Sequence, residues 1–124
     1  MEKRERPEVG RRAEALAAEQ LERAGLRIVA RNWRRAEGEL DLVADDSGTC
    51  VFVEVRSRTG EERGHPLEAI TARKRAQVIR TARVYLDAEA PRAAGYRFDV
   101  VAVTFWEDGR APDVTHVPDA FQVG

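Results

Sequence analysis

The sequence predicts an α/β fold with a mixed sheet between flanking helices. A helical pattern opens the chain, three segments of alternating apolar residues follow it, and a longer helical stretch precedes two further strands. This order, α-β-β-β-α-β-β, is typical of an α/β arrangement. No repeat or linker divides the 124 residues, so we expect one domain over residues 1–124.

The first helix is predicted over residues 9–24. Its apolar positions recur at helical spacing, and they are Ala13, Leu16, Ala17, Leu21 and Ala24. Gly25 follows at the position of a C-terminal cap. Glu14 lies at the edge of the apolar stripe, and we therefore expect its side chain to reach toward the sheet.

Three strands are predicted next, over residues 26–32, 38–44 and 49–57. In the second strand two faces alternate, with Leu40, Leu42 and Ala44 on one and Glu39, Asp41 and Val43 on the other. The residues at 45–48 have turn chemistry, which predicts a hairpin between the second and third strands.

A second helix is predicted after a polar loop at residues 61–66. Thr71 is its expected N-cap, and its apolar side includes Ile79, Ala82 and Leu86. Strands over residues 96–105 and 113–118 complete the fold. Asp99 shares a strand face with Arg97 and is interpreted as its ion-pair partner, and His116 as a packing or hydrogen-bonding residue at the sheet edge.

The hairpin register decides the functional interpretation. With Ala44 opposite Val51, Asp41 lies across from Glu54, and Glu39 lies across from Arg56. Two neighbouring carboxylates repel and are costly to bury unless they share a proton, meet arginines or bind a divalent cation. A charged ladder on a solvated strand face is the alternative explanation of the same residues.

A divalent cation would give this carboxylate pair a chemical role. Mg²⁺ or Mn²⁺ prefers oxygen ligands and keeps waters for a phosphate substrate. Asp41 and Glu54 are the predicted metal ligands, and Glu14 would supply a third oxygen or hold a metal-bound water. Such a metal would polarise a phosphodiester and lower the pKa of a bound water, which is the chemistry of a metal-dependent nuclease.

Net charge and the distribution of basic residues limit the kinds of binding partner that the sequence predicts. The net charge is −1, so any attraction for nucleic acid depends on local basic stretches. The predicted nucleic-acid-binding residues are Arg31, Arg34, Arg35, Arg73, Lys74 and Arg75, with solvated basic faces as the alternative. Trp33 is interpreted as core cover, with base stacking as its alternative.

A lone Cys50, a charged start and the absence of a long apolar run indicate a cytoplasmic protein without a membrane span.

Several motifs match a known family in order along the chain. The segments are "AEALAAEQLERAGLRIVARNWR", "GELDLVA", "VFVEVRSR", "GHPLEAITARK", "YRFDVVAV" and "HVPDAF". The sequence resembles the YraN family of small bacterial proteins, which is similar to the archaeal Holliday-junction resolvases. The resemblance implies the restriction-endonuclease-like fold of the PD-(D/E)xK nucleases, and it implies a Mg²⁺-dependent endonuclease acting on DNA, including branched forms.

The resemblance also implies roles for individual residues. Glu14 matches the acidic residue of the first helix, Asp41 the metal-binding aspartate and Glu54 the second acidic ligand. Arg56 stands where the motif has a catalytic lysine, and an arginine grips phosphate but cannot act as a general base at neutral pH. Lys74, which matches a family lysine, would contact the substrate phosphate and partly replace the missing group if its helix end faces the site, with a solvated helix lysine as the alternative.

Two other functions remain open on this sequence. Arg56 favours a nucleic-acid-binding protein that has kept the fold and lost cleavage. A protein-interaction domain, in which the acids form a structural ion network, is the other candidate. A nuclease that cuts both strands symmetrically would require a homodimer with two-fold symmetry.

Overall fold

The computed structural model describes residues 7–60 and 64–123, and the predicted order of elements is confirmed. The elements are α1 (Pro7–Arg23), β1 (Arg27–Arg35), β2 (Gly38–Asp46), β3 (Thr49–Thr59), α2 (Ala72–Glu89), β4 (Gly95–Phe105) and β5 (Asp113–Phe121). A 3₁₀ turn over Pro66–Ala69 precedes α2. The loop predicted at residues 61–66 falls partly on residues 61–63, which lie outside the described residues.

The five strands form one mixed sheet in the order β1-β2-β3-β4-β5. β3 and β4 are parallel, whereas the other three neighbouring pairs are antiparallel. Parallel neighbours need a long crossover connection, and α2 supplies it between β3 and β4. This is the restriction-endonuclease-like arrangement expected from the motifs. No helix of the described residues is long and apolar enough to cross a membrane.

Two apolar cores lie on opposite faces of the sheet. One packs α1 against the sheet, and its members include Ala17, Leu21, Leu42, Val53 and Val101. The other packs α2 against the opposite face, and its members include Val78, Tyr85, Val43, Phe52 and Phe98. Successive strand residues point to opposite faces, so the central strands β3 and β4 are apolar on both sides. The helices therefore approach any residue of β2 or β3 from opposite directions.

The hairpin between β2 and β3 has the predicted register in its first half. Ser47 and Gly48 have φ angles of 51° and 97°, as a two-residue type I′ turn requires. Ala44 pairs with Val51, as predicted, and the pairing continues through Leu42 and Val53. It stops before the predicted opposition of Asp41 with Glu54 and of Glu39 with Arg56. The turn chemistry of the sequence thus fixes which residues face each other across the hairpin.

One prediction about β2 is wrong. Leu40 and Leu42 were expected on one face, but Leu42 lies in the α1-side core and Leu40 in the α2-side core. The alternation breaks at the residue between them, Asp41. Across from it on β1, Asn32 has a left-handed φ of 50°, which residues other than glycine, asparagine and aspartate rarely adopt. The sheet is therefore distorted at the position where the functional residues were predicted.

Candidate functional site

β2 and β3 separate at Asp41. Their pairing covers Leu42–Asp46 and Thr49–Val53, and Asp41 is the next residue along β2. Its Oδ2 accepts a hydrogen bond of 2.8 Å from the backbone N–H of Val55. A side-chain carboxylate thus satisfies a backbone donor that would otherwise need a partner on the neighbouring strand. This contact holds the Asp41 carboxylate beside β3.

Asp41 and Glu54 form the predicted acid pair. Glu54 is buried, with only 4% of its surface exposed, and it lies close enough to Asp41 for the charges of the two carboxylates to interact. Burial raises the pKa of Asp41 well above its usual value, and the charge of Glu54 raises it further. Burial also raises the pKa of Glu54. Because each charge disfavours the other, the pair holds a proton more tightly than two isolated carboxylates would.

Two cations approach the same oxygen of Glu54. Lys74 Nζ lies 3.8 Å from Glu54 Oε2, and Arg56 Nη1 lies 4.0 Å from it. Both distances exceed that of a hydrogen bond, so neither cation is fully engaged by the carboxylate. Arg56 Nε is buried and, among the described residues, has no hydrogen-bond partner. The site therefore keeps donor capacity for an anion.

Local helix chemistry positions Lys74. The Thr71 hydroxyl accepts a hydrogen bond of 3.1 Å from the Lys74 backbone N–H, which confirms Thr71 as the N-cap of α2. Lys74 consequently lies in the first turn, on the side of the sheet that α2 covers. The start of α2 therefore faces Glu54, as the role predicted for Lys74 requires.

Glu14 reaches the site from α1, through Asn32. One amide group, Asn32 Nδ2, donates to Glu14 Oε1 and to Glu39 Oε2, each at 3.0 Å. Arg34 holds the other oxygen of Glu39 at 3.2 Å. The charge of Glu14 also contributes to the raised pKa of Asp41. Sequence reasoning missed Asn32, and the available signal was an asparagine within a predicted strand.

The comparisons with known proteins identify the family. The model of the uncharacterised protein family UPF0102 matches residues 13–103. The chain belongs to the UPF0102 family. A UPF0102 protein of Prosthecochloris aestuarii is 44% identical over 118 residues, covering 92% of this chain and 93% of the relative. Another, of Pelotomaculum thermopropionicum, is 45% identical over 113 residues, covering 91% and 94%. The resemblance to the YraN family is thereby confirmed.

The basic residues of this UPF0102 chain have different roles in the structure. Arg75 donates to the carbonyls of Ile70 and Leu67, so it holds the segment before α2. Arg35 lies over the Trp33 ring at 4.0 Å and within 3.8 Å of Glu89. Arg31 and Arg73 are exposed, and within residues 7–60 and 64–123 neither has an ion pair. Their role in binding nucleic acid stays a prediction, as does that of Arg34.

Trp33 packs as core cover. It joins the α2-side core, with its ring centroid 5.1 Å from that of Tyr85 in an edge-to-face contact. Its Nε1 donates to Glu89 at 3.1 Å, and Arg35 covers its ring. Little of the ring is left for a nucleobase, so the interpretation of Trp33 as a packing residue is confirmed.

A cavity of about 580 Å³ lies away from the acid pair, between the start of α1 and the ends of β3 and β4. Its charged lining residues are Glu8, Arg12, Arg58 and Glu107. Two positive and two negative side chains give it no electrostatic preference for a polyanion. The cavity therefore adds nothing to the case for a nucleic-acid site.

The acid pair fits a divalent cation bound by few protein ligands. Within the described part of the chain, no three His, Cys, Asp or Glu side chains are grouped so as to hold a metal ion. Asp41 and Glu54 provide two carboxylates, which is the number through which Mg²⁺ is commonly held when waters and substrate phosphates complete its shell. A cation there would also relieve the repulsion within the buried pair. Glu14 remains a predicted ligand and is anchored by Asn32.

Proposed function

We propose that this UPF0102 protein is a Mg²⁺- or Mn²⁺-dependent endonuclease acting on DNA, with branched or structured DNA as the substrate class. One observation carries the proposal: the half-buried Asp41 and the buried Glu54, from neighbouring strands, converge beside Lys74 and have raised pKa values. Strongly perturbed carboxylates next to a specific charge partner are typical of functional sites. The motif resemblance supplies the substrate class.

The chemistry assigns a role to each residue of the site. Asp41 and Glu54 would hold the cation, which when bound lowers the pKa of a water and polarises a phosphodiester. Lys74 and Arg56 would offset the charge of the phosphate, and a guanidinium group such as that of Arg56 can hold a phosphate at two points. A bound Mg²⁺ or Mn²⁺ would lower the pKa of its water and so reduce the demand for a general base, a role that Arg56 cannot fill at neutral pH.

Calorimetric titration with MnCl₂ and MgCl₂ tests the metal site directly. We expect the unchanged protein to bind the cation and Asp41→Asn to lose at least tenfold in affinity. Asp87→Asn, which alters an exposed aspartate of α2, is the matched control and should bind as the unchanged protein does. Equal affinities in all three proteins would exclude the Asp41–Glu54 pair as the metal site.

A DNA-binding protein that has lost cleavage is the second candidate. It is favoured by the 4.0 Å approach of Arg56 to Glu54, which offsets charge that a cation would otherwise use. Such a protein would bind branched DNA in a salt-dependent manner and leave it intact with any divalent ion. Arg56→Lys decides between the two, because cleavage that appears only in this variant would place the loss of activity at residue 56.

Sedimentation with and without DNA tests whether the protein forms a homodimer. The same samples test the third candidate function, that of a protein-interaction domain. A nuclease that makes paired symmetric cuts should form a dimer on its substrate. A protein that binds neither DNA nor RNA at low salt would instead be an interaction domain, and the acid pair would be part of a structural ion network.

A further inference from the structure

The asparagine opposite the acid pair has a geometry that packing alone does not explain. Arg31 pairs with Leu42 and Trp33 with Leu40, so Asn32 lies across from Asp41. Its backbone is in the left-handed region at φ 50°, where a side chain other than asparagine or aspartate is disfavoured. Its side chain is on the exposed surface and fills no core space. The amide group is what this position contributes.

Both hydrogens of that amide are used on carboxylates. Asn32 Nδ2 donates to Glu14 Oε1 and Glu39 Oε2, each at 3.0 Å. Glu39 has a second partner in Arg34, whereas Asn32 is the partner the structure records for Glu14 among the described residues. Glu14 is therefore anchored through one oxygen, and its other oxygen remains available.

We propose that Asn32 is a positioning residue that fixes Glu14 beside the Asp41–Glu54 pair for a cation or its bound water. This inference rests on the proposed metal-dependent function. Glu14 projects from α1 and the pair belongs to the sheet, so without Asn32 a side chain with several rotatable bonds would have to be ordered on binding. Groups that orient a metal ligand through its free atom typically contribute a factor of 10–100 to metal affinity.

Mn²⁺ alone, titrated by calorimetry without nucleic acid, is the probe. Asn32→Gly keeps the left-handed backbone and removes the amide, and it should weaken Mn²⁺ binding about tenfold. Ser47→Gly is the matched control, since Ser47 also has a left-handed φ, 51°, but lies in the hairpin turn. It should leave the affinity unchanged.

A double-mutant cycle separates positioning from a general structural effect. If Asn32 acts through Glu14, Asn32→Gly should change the Mn²⁺ affinity less than twofold once Glu14→Ala is present. Arg34→Ala, which frees only Glu39, should also have little effect on Mn²⁺ affinity.

The outcomes distinguish this inference from the proposed function. Tight Mn²⁺ binding that Asn32→Gly leaves unchanged, or effects of Asn32→Gly and Glu14→Ala that simply multiply, would overturn the role of Asn32 and leave the two-carboxylate site intact. No Mn²⁺ binding by the unchanged protein would overturn the proposed function itself, and this inference with it.

Discussion

Two carboxylate centres lie in neighbouring strands of the sheet, and their pKa values are shifted in opposite directions. Asp99 on β4 is fully buried, yet its pKa is lowered. Burial alone would raise that pKa, and hydrogen bonds from His116, Arg97 and the backbone N–H of Asp119 outweigh it. Glu54 on β3 is also buried, but its pKa and that of Asp41 are raised.

The number and closeness of donors make the difference. Arg97 meets Asp99 at 2.9 and 3.2 Å and also holds Asp46 at 2.8 Å, while His116 and the Asp119 N–H approach at 2.8 and 2.9 Å. Around the acid pair, the cations stop at 3.8 and 4.0 Å. A buried carboxylate surrounded by donors stabilises the fold. One that shares its site with a second carboxylate destabilises the fold unless a ligand binds.

The largest expected effect is at the satisfied centre. Asp99→Asn removes the charge that compensates Arg97 inside the protein, and breaking a buried ion pair from one side typically costs 3–5 kcal/mol. We expect urea denaturation at pH 7 to show a loss of about 3–5 kcal/mol in the free energy of unfolding. Asp108→Asn, at an exposed aspartate paired with Arg110, is the control and should be close to neutral. A loss below about 1 kcal/mol for Asp99→Asn would show that the Asp99 network is not structural.

A substitution in the acid pair should instead increase the free energy of unfolding. Asp41→Asn removes the repulsion with Glu54, and the asparagine oxygen can still accept from the Val55 N–H. In chelator-treated buffer at pH 7, we expect the variant to be more stable by about 1–2 kcal/mol, as is common when a strained functional residue is replaced. A destabilisation comparable to that of Asp99→Asn would mean that the two centres do not differ as the contacts indicate.

The pH dependence of these variants separates the two centres further. The folded pKa of Asp99 is lowered, so its contribution is fully present above the unfolded value of about 3.9 and is lost as pH falls through the folded pKa. The pKa of Asp41 is raised, so its destabilisation is present at high pH and fades as pH falls toward the unfolded value. Denaturation between pH 4 and 8 should therefore show a nearly constant deficit for Asp99→Asn and a shrinking advantage for Asp41→Asn. A pH-independent advantage would contradict the role of repulsion.

Local patterns in the sequence predicted the main parts of both centres. Alternation and the turn residues predicted the hairpin register as far as Leu42 and Val53, the neighbours of Asp41 and Glu54 in sequence, and a spacing of two placed Arg97 on the face of Asp99. The alternation of apolar residues predicted the wrong face for Leu40. It breaks at Asp41, whose neighbours Asn32 and the Val55 N–H belong to other strands. The hydrogen-bond donors to Asp99 likewise lie on two strands, β4 and β5, so no pattern within one segment of the sequence predicts all of them.

The smallest expected effect compares the arginines of the two centres. Arg97 is held by two carboxylates at hydrogen-bond distance, whereas Arg56 lies 4.0 Å from one and is 41% exposed. Exposed ion pairs contribute about 0–1 kcal/mol, so Arg56→Lys should change the free energy of unfolding by less than about 0.5 kcal/mol. Arg97→Lys, which loses a two-point contact, should cost clearly more. Denaturation of both variants at pH 7 makes the comparison. If Arg56→Lys were the more damaging, residue 56 would be a structural residue, and its departure from the motif lysine would be explained by folding rather than by phosphate binding.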